Sequence, residues 1–345
     1  MNNFTINSTA ELIDALRSRG DHRVRLCGGG SRHHAQTARP FDSVVIALAG
    51  MNRIQRLEPD DLTCSVEPGV PCAVLHEELA AKGLELGIDA DGTIGGFLAA
   101  DPVTAATTGA ASARSALLGA EAVLGEGKAF KAGSRVVKSV AGFDVHKLLI
   151  GSRGLLFAAT LLHLKLRPRP PAAIDFCTDV MEQEAASRRF IALRSLAPAP
   201  VRLSLLFDPS GCRITGRFAG RANWVATALR SNGVREAKLA AATPFDEHSG
   251  NERLAGLVPP TQVRHLLRAL PVGAFARIHG NGRCEIDLPA KATDALLRAM
   301  PELFVVAAII GGTAVRRGQG TPLDAGAVRL DQGLKQALDP QGVFV

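Results

Sequence analysis

Apolar residues recur along this chain in two rhythms, every second position or every third and fourth, and the rhythms alternate from one end to the other. Phe4-Thr5-Ile6 predicts a short strand. Ser8-Thr9-Ala10-Glu11 is a capping box, and Leu12, Ile13 and Leu16 form the apolar face of a helix that Gly20 closes. A strand over 23–26 then delivers the chain into the turn Cys27-Gly28-Gly29-Gly30-Ser31. Further strands are predicted over 43–48 and 62–67, and Pro71 suits the first turn of a helix carrying Val74, Leu75 and Leu79, ended by Gly83. From 119 to 133 the pattern is strand, turn and strand about Gly125-Glu126-Gly127, and 154–166 reads as one long apolar strand. Pro168-Arg169-Pro170-Pro171 is a stiff linker dividing residues 1–170 from residues 171–345. Beyond it, strands over 202–207, 213–218, 274–279 and 304–310 mix with helices over 222–230, 262–270, 291–300 and 328–338. Both halves therefore read as α+β.

Composition narrows the function classes. At 46% hydrophobic, 345 residues can bury a sizeable core, and no run of 18 apolar residues is present to span a bilayer. The opening Met1-Asn2-Asn3-Phe4-Thr5-Ile6 lacks the basic and apolar regions of a secretory signal, so cytoplasmic residence is the default expectation. The net charge of +7 invites a nucleic-acid partner, yet the basic residues form no block, aromatics are 4% and Tyr is absent. No nucleic-acid partner is expected. The six cysteines, at 27, 64, 72, 177, 212 and 284, form no Cys-x-x-Cys pair. They read as free thiols, with no metal or iron–sulfur site in this chain.

Three glycine clusters carry the candidate chemistry: Gly28-Gly29-Gly30-Ser31, Thr93-Ile94-Gly95-Gly96, and the string from Gly142-Phe143-Asp144 to Gly151-Ser152-Arg153-Gly154. Glycine lets a large anionic ligand approach backbone N–H groups, and clusters spaced this widely suit one extended cofactor. The familiar nucleotide loops are missing. Gly125-Glu126-Gly127-Lys128 has the wrong spacing for a phosphate loop, and Gly28-Gly29-Gly30-Ser31-Arg32-His33 lacks the last glycine of the dinucleotide fingerprint.

The order of these motifs resembles the flavoproteins whose FAD domain is of the p-cresol methylhydroxylase and vanillyl-alcohol oxidase type. Their pattern runs Gly-Gly-Gly-Ser/Thr, then Glu/Ala-x-Gly-Val, Thr-hydrophobic-Gly-Gly, Lys-x-x-x-Gly-Tyr-Asp and Gly-Ser-x-Gly. This chain supplies Glu67-Pro68-Gly69-Val70 and Lys138-Ser139-Val140-Ala141-Gly142-Phe143-Asp144 in the matching places, and the likeness covers about residues 8–170. Within the family the chain resembles the FAD-binding E-type subunits of bacterial glycolate oxidases. The exit Leu164-Lys165-Leu166-Arg167-Pro168 and the terminus Leu334-Lys335-Gln336-Ala337-Leu338-Asp339-Pro340-Gln341-Gly342-Val343-Phe344 are similar to theirs too. The family's Asn-Pro-Gly after that point is not reached before Val345, which leaves a last flavin-side turn in question.

The resemblance implies a two-subdomain FAD-binding domain over 1–170, a smaller α+β cap over 171–345, and noncovalent FAD. It carries the cofactor role to Gly28, Gly29, Gly30, Ser31, Arg32, His33, Gly92, Thr93, Ile94, Gly95, Gly96, Ala99, Ala100, Gly142, Phe143 and Asp144. A valine at Gly95 or Gly96 is expected to block the cofactor's path. Implied partners are a larger FAD-binding subunit, an iron–sulfur subunit and a small 2-hydroxy acid oxidised to a 2-oxo acid. Attachment to the membrane face through those partners stays open. A stand-alone dehydrogenase or oxidase and a non-catalytic scaffold are the alternatives.

Some residues depart from the family. Asp101-Pro102-Val103-Thr104 stands where relatives carry Asn-x-x-Gly, placing a carboxylate by the expected flavin, and Arg114-Ser115 replaces their Arg-Asp. His33 and His34 lack the Gly-His pattern of covalent flavin attachment. Asp144 reads as a turn cap rather than a catalytic acid. Arg277 and His279 share a strand face near Arg283, a grouping that suits a hydroxy acid but is more often structural, so catalytic residues stay unassigned.

Overall fold

The computed structural model describes residues 3–30, 43–101, 112–136, 143–238, 252–300, 303–310, 314–316 and 325–345. The chain begins with β1 (Asn3–Thr5), α1 (Thr9–Arg17), β2 (Arg23–Cys27) and β3 (Ser43–Ala47). These strands form a parallel sheet in the order β1-β3-β2. At the start of α1 the Ser8 Oγ accepts from the Glu11 backbone N–H at 3.2 Å, as the capping box predicts. The Glu11 carboxylate, however, accepts from the Asn7 backbone at 3.0 Å, one residue before the cap. Leu12 and Leu16 bury fully against Ile6, Val24 and Ile46.

A second layer follows: β4 (Ile54–Glu58), β5 (Thr63–Val66), α2 (Cys72–Ala81), β6 (Leu84–Glu85), α3 (Ile94–Ala100), α4 (Ala113–Ala116), β7 (Leu117–Val123), β8 (Ala129–Gly133), β9 (Ala158–Lys165) and β10 (Arg167–Pro168). Five of its strands make an antiparallel sheet in the order β4-β5-β9-β7-β8, and β6 pairs with β10. On α2 the buried stripe is Cys72, Leu75 and Leu79. Val74 points outward and is 46% exposed, because it lies about 100° around the helix from Leu75. The strand predicted over 154–166 begins only at Ala158. Positive φ at Gly151, Arg153 and Gly154 turns the chain just before it.

The later strands gather in one sheet: β11 (Ala172–Cys177), α5 (Gln183–Arg194), β12 (Arg202–Asp208), β13 (Gly211–Gly220), α6 (Ala222–Ser231), β14 (Arg235–Glu236), β15 (Glu252–Leu257), α7 (Val263–Ala269), β16 (Phe275–His279), β17 (Arg283–Leu288), α8 (Thr293–Ala299), β18 (Phe304–Ile310), β19 (Ala314–Arg316) and α9 (Ala325–Leu338). The sheet has nine strands in the order β14-β11-β13-β12-β16-β17-β15-β18-β19. Leu203, Leu205, Ile214, Phe218, Ile278 and Ile286 share a core with Phe190, Val225, Leu266 and Leu296 of helices α5 to α8. The alternate residues, among them Arg202, Ser204, Arg217, Arg277, His279 and Glu285, occupy the opposite, polar face. The fold is α+β, as expected.

After α9 the chain returns to the first sheet. Lys335 Nζ donates to Leu155 O at 2.6 Å, Phe344 O at 2.8 Å and Asp339 Oδ2 at 2.6 Å. Asp339, 2% exposed, accepts from the backbones of Val343 and Phe344, each at 2.9 Å. Phe344 forms a parallel bridge with Val24, with bonds of 2.7 and 2.9 Å on either side. The Lys-x-x-x-Asp-Pro-x-Gly signature thus has a local cause: an ion pair one helical turn apart ties down the terminal segment.

Candidate cofactor site

The first two glycine clusters meet. Thr93 caps α3, its Oγ1 accepting from the Gly96 backbone at 3.3 Å. A Cβ on Gly28 would overlap that same Thr93 oxygen, and one on Gly29 would sit 3.4 Å from Thr93 Cγ2. Gly30 has φ +79, and among the described residues a Cβ there would meet Cys27 Sγ at 3.9 Å. Gly95 serves a different need. Its Cβ would fall 2.6 Å from Pro68 Cβ and 2.9 Å from Pro68 O, so glycine there lets α3 sit on the turn after β5. Gly92 has φ +67 and its carbonyl accepts from Cys72 N.

The third cluster closes on the end of α3. Gly151 N donates to Leu98 O at 3.1 Å and Arg153 N to Ala99 O at 2.8 Å, with Ala100 completing the helix. Phe143 is 91% exposed. Asp144 begins a 3-10 turn, but its side chain makes no capping bond. The Phe143 and Asp144 carbonyls accept from Val145 and Lys147 instead, which corrects the capping expectation. His146 is 3% exposed and its Nδ1 has no hydrogen-bond partner among the described residues. Burial, then the neighbouring Lys147 charge, pushes this ring below the usual histidine range. Ser31, Arg32, His33, His34 and Gly142 lie outside the described residues.

Two ion pairs join this region to the polar face of the large sheet. Asp101, in a left-handed conformation at the end of α3, pairs with Arg283, whose Nη1 also donates to Asp101 O at 3.0 Å. Asp89 pairs with Arg202. On the sheet, Ser204 and His279 lie between those arginines and are hydrogen-bonded at 2.8 Å. Arg277 stands 3.8 Å from Glu285, whose carboxyl is raised by burial.

Comparison with known proteins gives this geometry its chemistry. Residues 4–133 match the family described as an FAD binding domain. The chain is an FAD-dependent oxidoreductase. The oxidoreductase is similar to glycolate oxidase subunit GlcE of Escherichia coli (strain K12), 27% identical over 96% of this chain and 95% of that subunit. It is 30% identical to the mitochondrial D-lactate dehydrogenase [cytochrome] of Arabidopsis thaliana over 48% of this chain, but spans only 30% of that enzyme. A solved alkyldihydroxyacetonephosphate synthase superposes with TM-score 0.70 over 99% of this chain and 76% of its own, at 15% identity, and so shares the fold.

The residues present fit FAD. Gly28 and Gly29 bring the turn hard against Thr93, the cap of α3, and Gly30 takes a left-handed conformation that favours glycine. The buried His146 Nδ1, without a partner among the described residues, offers a polar atom to a ligand. The expectation for Asp101 needs revision, since Arg283 compensates its carboxylate. Asp89, Arg202 and His146 escaped the sequence reading. Only their folded surroundings distinguish them.

His279 also makes a testable contribution to this oxidoreductase's acid stability. Burial first, then Arg277 and Arg283, pushes it down from 6.5 to about 3. The fold therefore holds a neutral ring, while the unfolded chain takes up a proton below about 6.5. Its stabilisation is full above that pH and is lost as pH falls toward 3, at about 1.4 kcal/mol per unit. Urea unfolding of His279→Gln is expected to lose stability less steeply between pH 6.5 and 4 than the parent. Equal slopes would assign the acid sensitivity elsewhere.

Proposed function

We propose that this protein is the FAD-binding subunit of a glycolate-oxidase-like complex that oxidises a small 2-hydroxy acid to the 2-oxo acid. The likeness to GlcE carries the reading, because it runs through both halves of the chain and nearly all of that subunit. The likeness to a D-lactate dehydrogenase supports the same substrate class. In this reading residues 1–170 form the cofactor domain and 171–345 its cover. Gly28, Gly29, Gly30, Ser31, Arg32 and His33 would wrap the anionic part of FAD, with 92–100 and 142–144 on its other sides. Bound FAD would supply the two-electron acceptor. Arg283 holds the Asp101 carboxylate compensated, and Ser204 orients a neutral His279 on the facing sheet.

A larger FAD-binding subunit and an iron–sulfur subunit would take the electrons onward. The burial that pushes the Cys64 and Cys284 thiols up to about 12 suits structural roles rather than cluster ligation. No helix among the described residues is long and apolar enough to cross a membrane. A cytoplasmic place, peripheral to the membrane through those partners, accords with this reading.

Purified protein is expected to carry flavin that acid precipitation releases. No flavin, together with no thermal stabilisation by added FAD, would overturn the cofactor assignment. Anaerobic mixing with glycolate or D-lactate is expected to bleach the flavin only when the partner subunits are present. Bleaching by the isolated chain would make it a stand-alone enzyme, and none in any assembly would make it a scaffold.

A further inference from the structure

A cleft outside the proposed cofactor segments shares the Asp89–Arg202 pair with the region described above. Its volume is about 300 Å³, and it opens between α2, the β6–β10 ribbon and one end of the polar sheet face. That volume is at the small end of the range for ligand sites, about 300–1,000 Å³. None of residues 28–30, 92–100 or 143–144 lines it. Arg167, Arg169, Arg202 and Arg217 converge there. Three of these guanidinium groups are matched within the protein. Arg167 Nε lies 2.7 Å from Glu85, Arg202 pairs with Asp89, and Arg217 grips both Asp175 oxygens at 2.6 and 2.7 Å.

Arg169 is the exception: among the described residues its side chain has no ion-pair partner. Its backbone N–H is fixed to Gly83 O at 2.8 Å, which places it at the rim. Burial lowers the pKa of His76 in the same wall, so that ring adds no charge near neutral pH. The remaining walls are largely aliphatic, and Ala173 and Ala219, paired across β11 and β13, leave room over the sheet. With the other three guanidinium groups matched, Arg169 leaves the cleft one positive charge in surplus, which favours one added negative charge.

We propose that this cleft binds a small monocarboxylate with an apolar body, its carboxylate toward Arg169 and its body over Ala173 and Ala219. The inference does not rest on the flavin reading. A neutral analogue would leave the surplus guanidinium unmatched, and a dianion would overcompensate it.

Isothermal titration of the full chain with benzoate is expected to show saturable, one-site binding that benzyl alcohol does not reproduce. Ala219→Leu, which fills the cleft, is expected to weaken benzoate about tenfold, because added methylenes in a filled site must displace something. Arg169→Gln is expected to weaken it about fivefold and to flatten its salt dependence, as suits one rim charge. Flavin content, read separately by absorbance, is expected to stay unchanged in both variants. No saturable benzoate binding would overturn the proposal, as would unchanged affinity in Arg169→Gln, whose exposed position leaves folding intact. Benzoate that shifts the flavin spectrum yet ignores both substitutions would belong to the flavin site, also overturning it. Tighter binding of phenyl phosphate than of benzoate would overturn the single-charge assignment.

Discussion

Asp339→Ala is expected to destabilise the protein by about 3 kcal/mol, chiefly the cost of leaving two buried backbone donors without their acceptor, with the partly exposed Lys335 adding less. The carboxylate accepts from two backbone N–H groups and pairs with Lys335, and it is almost completely buried. Removing it leaves two donors unsatisfied and an ammonium without its counter-charge. The damage should spread, because Val343 and Phe344 belong to the core of α1 and β2. Asp339→Asn keeps one acceptor and is expected to lose less. Urea midpoints would measure both, and a loss under about 1 kcal/mol for the alanine variant would show that the terminal segment holds by apolar contact alone.

Gly28→Val is expected to cut flavin occupancy at least about tenfold, as a shift of some 1.4 kcal/mol or more in cofactor binding would. The new Cβ would overlap Thr93 Oγ1, driving the triple-glycine turn away from α3. Gly28→Ala combined with Thr93→Ala removes that oxygen and is expected to recover part of the occupancy. Gly95→Val should behave differently. It meets Pro68 inside the protein, so its main effect is on folding rather than on the cofactor's path. Gly333→Ala provides the control, since it lies in α9 and no described residue comes within 4 Å of the added carbon. It is expected to keep flavin and to gain up to about 1 kcal/mol from helix propensity. Absorbance ratios of the purified proteins would decide: full flavin in Gly28→Val would detach this turn from the cofactor.

These contrasts show what the sequence could express. Local signals are written in neighbouring residues, so the glycine turn after β2, the Ser8 cap and the hairpin of β7 and β8 were all readable. The nonlocal matches were not. Asp89 meets Arg202 across 113 positions, and nothing near either residue announces the other. Helix α5 went unseen because its buried stripe is only Ala186, Ser187, Phe190 and Leu193 among polar neighbours. Strand β17 was not among the predicted strands: Cys284, Ile286 and Leu288 do alternate, but charged Arg283, Glu285 and Asp287 stand between them. Those charges face the polar side of the sheet, and the same polarity that serves the site masks the strand. At Gly95 a side chain would collide with Pro68, and a sequence shows that glycine is present but not which neighbour needs the space.

The return of Phe344 to Val24 bears on how the molecule is made. A chain leaves the ribosome from its first residue to its last, and early domains ordinarily fold while later ones are still being synthesised. Here α1 and β2 wait for residues 343–345, which cover Leu12, Leu16 and Val24. The opening layer therefore keeps that apolar surface uncovered until about 320 further residues have been made, and the part made first is sealed only by a segment made long after it.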